Sequence, residues 1–82
     1  MDRASVATRF KDVLYREFLV DRSRISDTAT FEELGLDSMD LLKLEEALED
    51  EFQLPQSANQ MEEFTKIRSV GRAIDAIVEK TR

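Results

Sequence analysis

Residues 31–52 read FEELGLDSMDLLKLEEALEDEF, and this stretch decides how the rest of the chain is read. Gly35 breaks whatever precedes it, and a helix is predicted from Ser38 to about Phe52. Its apolar stripe is Leu41, Leu44, Leu48 and Phe52 at three- and four-residue spacing, with Ala47 and Leu42 at the margins. Asp37 suits the N-cap, and Asp40 at the third helical position approximates a capping box, with Asp replacing the usual Glu or Gln. Nine of the chain's eighteen acidic residues fall in this window against one base, Lys43. Ser38 thus stands at a helix start between two aspartates, where it can serve as a cap, a nucleophile or an attachment point.

The flanks fold by the same periodicity. Val6, Phe10, Val13, Leu14 and Phe18 form one stripe of a helix running from Ala4 to Leu19. A long connection from Val20 to Asp37 carries Ile25, Phe31, Leu34 and Leu36 as apolar anchors; connections of this length in a small domain are packed or functional. Pro55 bars continuation of the second helix. A short turn around Ser57–Phe64 offers Met61 and Phe64 to the core. The last helix spans Ser69 to Lys80 with Ser69 as its cap. Its inner stripe is Val70, Ala73, Ile74, Ile77 and Val78, and Lys80 and Arg82 suit its negative end. No period-two run of β-branched residues occurs. The expectation is an all-α bundle of three main helices and one short helix, forming a single domain over residues 1–82.

Composition narrows the chemistry. The 82-residue chain has no cysteine and no histidine. Thiolate metal sites, disulfides and the commonest general base are therefore excluded. No apolar run approaches the ~20 residues that span a bilayer, and the first ten residues lack a secretory apolar segment. A cytoplasmic, soluble protein is expected. The net charge of −6 argues against nucleic acid and anionic membranes as partners. Residues 32–51 hold nine acids and one base, whereas both flanks carry one more base than acid. The acidic helix is either a solvated face or a surface that meets basic proteins.

Ser38 lacks the company of a catalytic nucleophile. Lys43 lies five residues along the same helix and points away, and GLDSMD is not a nucleophile elbow. A calcium loop starting at Asp37 fails too, because Leu42 and Leu48 stand where Gly and Glu are required. With Asp37 as the cap, the Ser38 hydroxyl is left free in the first turn, where the helix dipole favours a phosphate.

LGLDSMD, followed by an acidic helix that ends in EDEF, closely resembles the prosthetic-group segment of acyl carrier proteins. IRSV at residues 67–70 is similar to the opening of their last helix, and the order of elements matches along the whole chain. The resemblance implies a four-helix carrier bundle that is not itself an enzyme. It implies 4′-phosphopantetheine attached to Ser38 from coenzyme A by a phosphopantetheinyl transferase. The implied partners are that transferase and acyl-loading, synthase and acyltransferase enzymes with basic docking patches, met by a monomeric carrier. Asp37 and Met39 would flank the modified serine, and Asp40, Glu46, Glu49 and Asp50 would lie on the docking helix.

Three departures stand out. Lys43 replaces a residue that is acidic in many members; it pairs with Asp40 or Glu46, or else faces partners and selects among them. Glu45 and Glu46 replace positions that are often apolar, and the segment Gln53–Lys66 is a few residues longer than is usual in the family. They suggest a carrier of a specialised pathway rather than the housekeeping fatty-acid carrier. A discrete aminoacyl or peptidyl carrier is the alternative, although LDSM leans towards acyl cargo; an unmodified helical adaptor is the third reading.

Overall fold

The computed structural model describes residues 1–54 and 66–81. It contains α1 (Arg3–Phe18), a 3₁₀ turn (Arg22–Arg24), α2 (Ser38–Phe52) and α3 (Val70–Lys80). The expected turn around Ser57–Phe64, with Met61 and Phe64, lies outside the described residues, as do Pro55 and Arg82. Among the described residues there is no strand, only an isolated antiparallel bridge between Thr30 and Ser69. No helix among them is long and apolar enough to cross a membrane.

Each helix starts on a side-chain cap. Asp2, Asp37 and Ser69 accept from the backbone N–H three residues on, at Ser5, Asp40 and Arg72. These bonds satisfy donors that the helix itself leaves unpaired. Two helices end on a left-handed residue, Leu19 (φ 56°) after α1 and Gln53 (φ 54°) after α2. In both, the next residue's N–H reaches back to close the turn, Val20 to Leu14 and Leu54 to Glu49. The second helix is therefore already terminated two residues before Pro55.

The three stripes meet as the periodicity predicts. Val6, Phe10, Val13 and Leu14 of α1 pack against Leu44, Leu48 and Phe52 of α2 and Val70, Ala73, Ile74 and Ile77 of α3. Each large side chain so buried stabilises the fold by about 1.5–3 kcal/mol before chain entropy is counted. Phe18, Leu41 and Val78, expected in the stripes, are only half-buried. They lie at the edges of the contact faces, and Leu41 borders the groove described below.

The long connection is packed, as its apolar residues required. Ile25, Phe31, Leu34 and Leu36 are buried, together with Val20 and Ala29. Its backbone is zipped to the start of α3: Val70 N–H donates to Ala29 O (2.9 Å), Gly71 N–H to Asp27 O (2.9 Å) and Phe31 N–H to Arg68 O (3.0 Å). Gly71 permits this approach, since a Cβ there would stand 2.8 Å from the Asp27 carbonyl oxygen. Gly35 (φ 81°) then turns the chain from this segment towards Asp37 and α2.

Candidate functional site

The start of α2 is built by two reciprocal hydrogen bonds. Asp40 N–H donates to Asp37 Oδ1 (2.9 Å), and Asp37 N–H donates to Asp40 Oδ2 (3.1 Å). This is the capping box expected from the sequence, formed with aspartate in the glutamate position. Both carboxylates sit where the helix dipole favours negative charge. Just before it, Thr30 closes a tight turn with Glu33. Its N–H and hydroxyl each donate to Glu33 Oε1 at 3.0 Å, and these bonds hold the Glu33 carboxyl below its ordinary pKa. The chain therefore enters α2 along one defined path.

Ser38 is the first helical residue, and it is exposed. Because Asp37 caps the helix, the Ser38 hydroxyl has no hydrogen-bond partner among the described residues. None of the described side chains is hydrogen-bonded to it as a base would be. Together with the missing histidine, this leaves Ser38 accessible but not activated within the chain itself.

A groove of about 480 Å³ opens beside the hydroxyl. Phe31, Leu36, Leu41 and Ile67 supply its apolar wall, while Thr30, Glu32, Asp37, Ser38 and Arg68 supply its polar groups. Reading the sequence did not single out Arg68, Thr30 or Ile67 for this site. Arg68 is the variable position within IRSV, and nothing local marks it; only folding brings the start of α3 beside the start of α2.

The remaining residues of the acidic helix divide by face. Met39, Lys43, Glu46 and Asp50 are all exposed and follow one another at four-, three- and four-residue steps, so they form one outward stripe. Met39 keeps 64% of its surface accessible, which is unusual for so apolar a side chain. Asp40 and Glu49 are half-buried at the flanks of that stripe. Lys43 makes no ion pair with any described residue, so the pairing with Asp40 or Glu46 does not form, and its charge stands alone on the outer face. Glu51 faces the other way, to Arg9 and Arg16 of α1. Glu45 is pushed above the ordinary glutamate range by burial first and by Glu49 second, with Lys80 acting in the opposite sense. Among the described residues no group of three or more acidic side chains gathers into a metal site.

The comparisons with known proteins agree with this geometry. The family model described as "Phosphopantetheine attachment site" matches residues 4–74, most of the chain. The crystal structure of an acyl carrier protein from Thermotoga maritima superposes with a TM-score of 0.80 at 34% sequence identity. That match covers 98% of this chain and 91% of the other. The prosthetic group of such a domain is a covalently attached 4′-phosphopantetheine. The chain is a carrier and not an enzyme. With the family model matched over residues 4–74 and an acyl carrier protein 34% identical along nearly its whole length, the chain belongs to the acyl carrier protein family.

Proposed function

We propose that Ser38 bears the 4′-phosphopantetheine arm and that the whole chain acts as one cytoplasmic, monomeric carrier domain. The observation that carries this reading is the Ser38 hydroxyl itself. It is exposed at the head of α2, spared from capping by Asp37, and borders a groove. In the modification, Ser38 Oγ forms a bond to the pantetheine-bearing phosphorus of coenzyme A. The bond to 3′-phosphoadenosine 5′-phosphate breaks, and a phosphopantetheinyl transferase takes up the hydroxyl proton. When bound, the arm supplies a thiol that holds cargo as a thioester. The protein supplies attachment, a phosphate-tolerant helix start and a surface for partners.

For that surface we propose the outward stripe of Met39, Lys43, Glu46 and Asp50, with Asp37, Asp40 and Glu49 at its edges. Its excess of acid suits basic patches on the transferase and on acyl-loading, synthase and acyltransferase enzymes. Lys43 interrupts that field with a positive charge that no described residue pairs, which supports service in a specialised acyl pathway, fatty-acid, polyketide or related. The LDSM context favours acyl over aminoacyl cargo.

Incubation with coenzyme A, magnesium and a broad-specificity transferase, followed by intact-mass measurement, tests the attachment. The wild type gains one phosphopantetheine and Ser38→Ala gains none. An unmodified wild type beside an active control removes the reading, and equal addition to Ser38→Ala moves the site elsewhere. Loading the modified protein with acyl and aminoacyl donors then decides the cargo class.

A further inference from the structure

We propose that Arg68 is a positioning residue that holds the phosphodiester of the arm and lays the arm along the groove. This rests on the assignment of the arm to Ser38. Arg68 and Ser38 line the same groove, and among the described residues that line it Arg68 is the one cation, sharing the space with Glu32 and Asp37. Its main chain is anchored at its own carbonyl and at the next residue. The Arg68 carbonyl accepts from Phe31 N–H at 3.0 Å, and the next residue, Ser69, caps α3 and bridges to Thr30. The guanidinium therefore springs from a fixed point on the groove wall.

Its side chain has no partner among the described residues, although two carboxylates border the same space. The arginines of α1 and of the connection are engaged otherwise. Arg3, Arg9, Arg16 and Arg22 pair with carboxylates, and Arg24 donates to the Glu33 carbonyl. A phosphodiester on Ser38 adds one negative charge beside Asp37, with Asp40 one turn away. Without a cation in the groove, that charge meets like charges. A guanidinium offers two parallel N–H donors to two non-bridging phosphate oxygens, a match that lysine lacks. The pair lies in contact with water, so it responds to salt and directs the arm rather than locking it.

The test compares wild type, Arg68→Gln, Arg68→Lys and, as a matched loss of charge on the exposed side of α3, Arg72→Gln. Each is converted to the modified form and checked by intact mass and circular dichroism. The ³¹P shift of the phosphodiester and the Arg68 Nε–Hε resonance are then recorded. The expected result is a ³¹P shift that differs between wild type and Arg68→Gln at low salt. The difference collapses at roughly 1 M salt, where screening acts within about 3 Å. Arg68→Lys falls between them, Arg72→Gln matches wild type, and the Arg68 Nε–Hε signal moves on modification. Identical ³¹P shifts in wild type and Arg68→Gln, with an unmoved Arg68 signal, overturn the proposal. So does an Arg68 signal that moves only when the arm carries a carboxylate-bearing acyl group, because the arginine then serves the cargo. Failure of the wild type to accept the arm removes this proposal together with the attachment reading; acceptance with unchanged spectra removes this one alone.

Discussion

Arg9 of α1 grips Glu51 of α2 at both its side chain and its main chain. Nη2 donates to the Glu51 carbonyl (2.6 Å) and to Oε2 (2.8 Å), and Nε donates to Oε2 (3.0 Å). The guanidinium also lies 4.9 Å from the centre of the Phe52 ring. No basic residue stands in the last turn of α2, so Arg9 supplies from another helix the cation that its C-terminal dipole favours. Arg9→Ala is expected to lower stability by about 2 kcal/mol, the range for hydrogen bonds to charged groups. Urea unfolding measures this, and Arg9→Lys should recover only part because the fork is lost.

The same contact sets part of the pH dependence. Hydrogen bonds from Arg9 hold the Glu51 carboxyl below its ordinary range, against a smaller opposing effect of burial. Asp2, Asp21 and Glu33 are lowered too, chiefly by backbone N–H donors at Ser5, Ser23 and Thr30. A carboxyl whose folded pKa is depressed stabilises fully above its unfolded value and loses that contribution as pH falls through the folded one. Glu45 has the opposite sign: its raised folded pKa favours the fold at low pH and is lost as pH rises through it. With four groups against one, stability should be level near neutrality and decline below about pH 4, around the ordinary carboxyl values. Urea midpoints across pH check this. Glu51→Gln should flatten the acid limb, and Glu45→Gln should raise stability near neutrality.

Asp37 is assigned the cap that frees Ser38. Asp37→Ala is expected to cost about 1 kcal/mol and to increase amide exchange in the first turn of α2. Asp37→Asn keeps an acceptor and should stay close to wild type. Equal losses in the two variants would show that the charge, rather than the hydrogen bond, matters there.

Gly71 tests the zipper between the connection and α3. Its φ is not in the left-handed region, so the constraint is space alone. Gly71→Ala is expected to push Asp27 away and weaken the Gly71 N–H to Asp27 O bond, costing about 1–3 kcal/mol. Unfolding experiments give the total, and amide exchange at Gly71 locates it.

Lys43 tests the partner surface. Lys43→Glu breaks no ion pair with a described residue and should change stability by less than about 1 kcal/mol, through helix-surface repulsion from Asp40 and Glu46. Its effect is expected on the ranking of partner enzymes by kcat/KM. Unchanged values across several partners would leave Lys43 as a plain surface residue.

The boundaries of α2, its capping box and the anchors of the long connection were legible because each depends on neighbours in sequence. A cap bonds three residues along, and an apolar stripe is set by helical pitch. Leu41 was misjudged for a related reason: pitch gives the direction of a side chain but not whether anything covers it. The motif around Ser38 pointed to the family, again through local spacing. Lys43 is spaced to pair with Asp40 or Glu46, yet it pairs with neither, since three-residue spacing permits a pair and supplies little energy to hold one.

What the sequence determined by itself, then, is where α2 begins, which residue caps it and which hydroxyl is left over. These are short-range matters of hydrogen bonding and periodicity. The tertiary structure alone decided that Glu51 leaves the acidic face to meet Arg9, and that Arg68 shares a groove with Ser38. Both depend on how α1 and α3 pack against α2. That packing is settled by the burial of Phe10, Leu44, Ile74 and their neighbours, and no local pattern around Arg9, Glu51 or Arg68 records it.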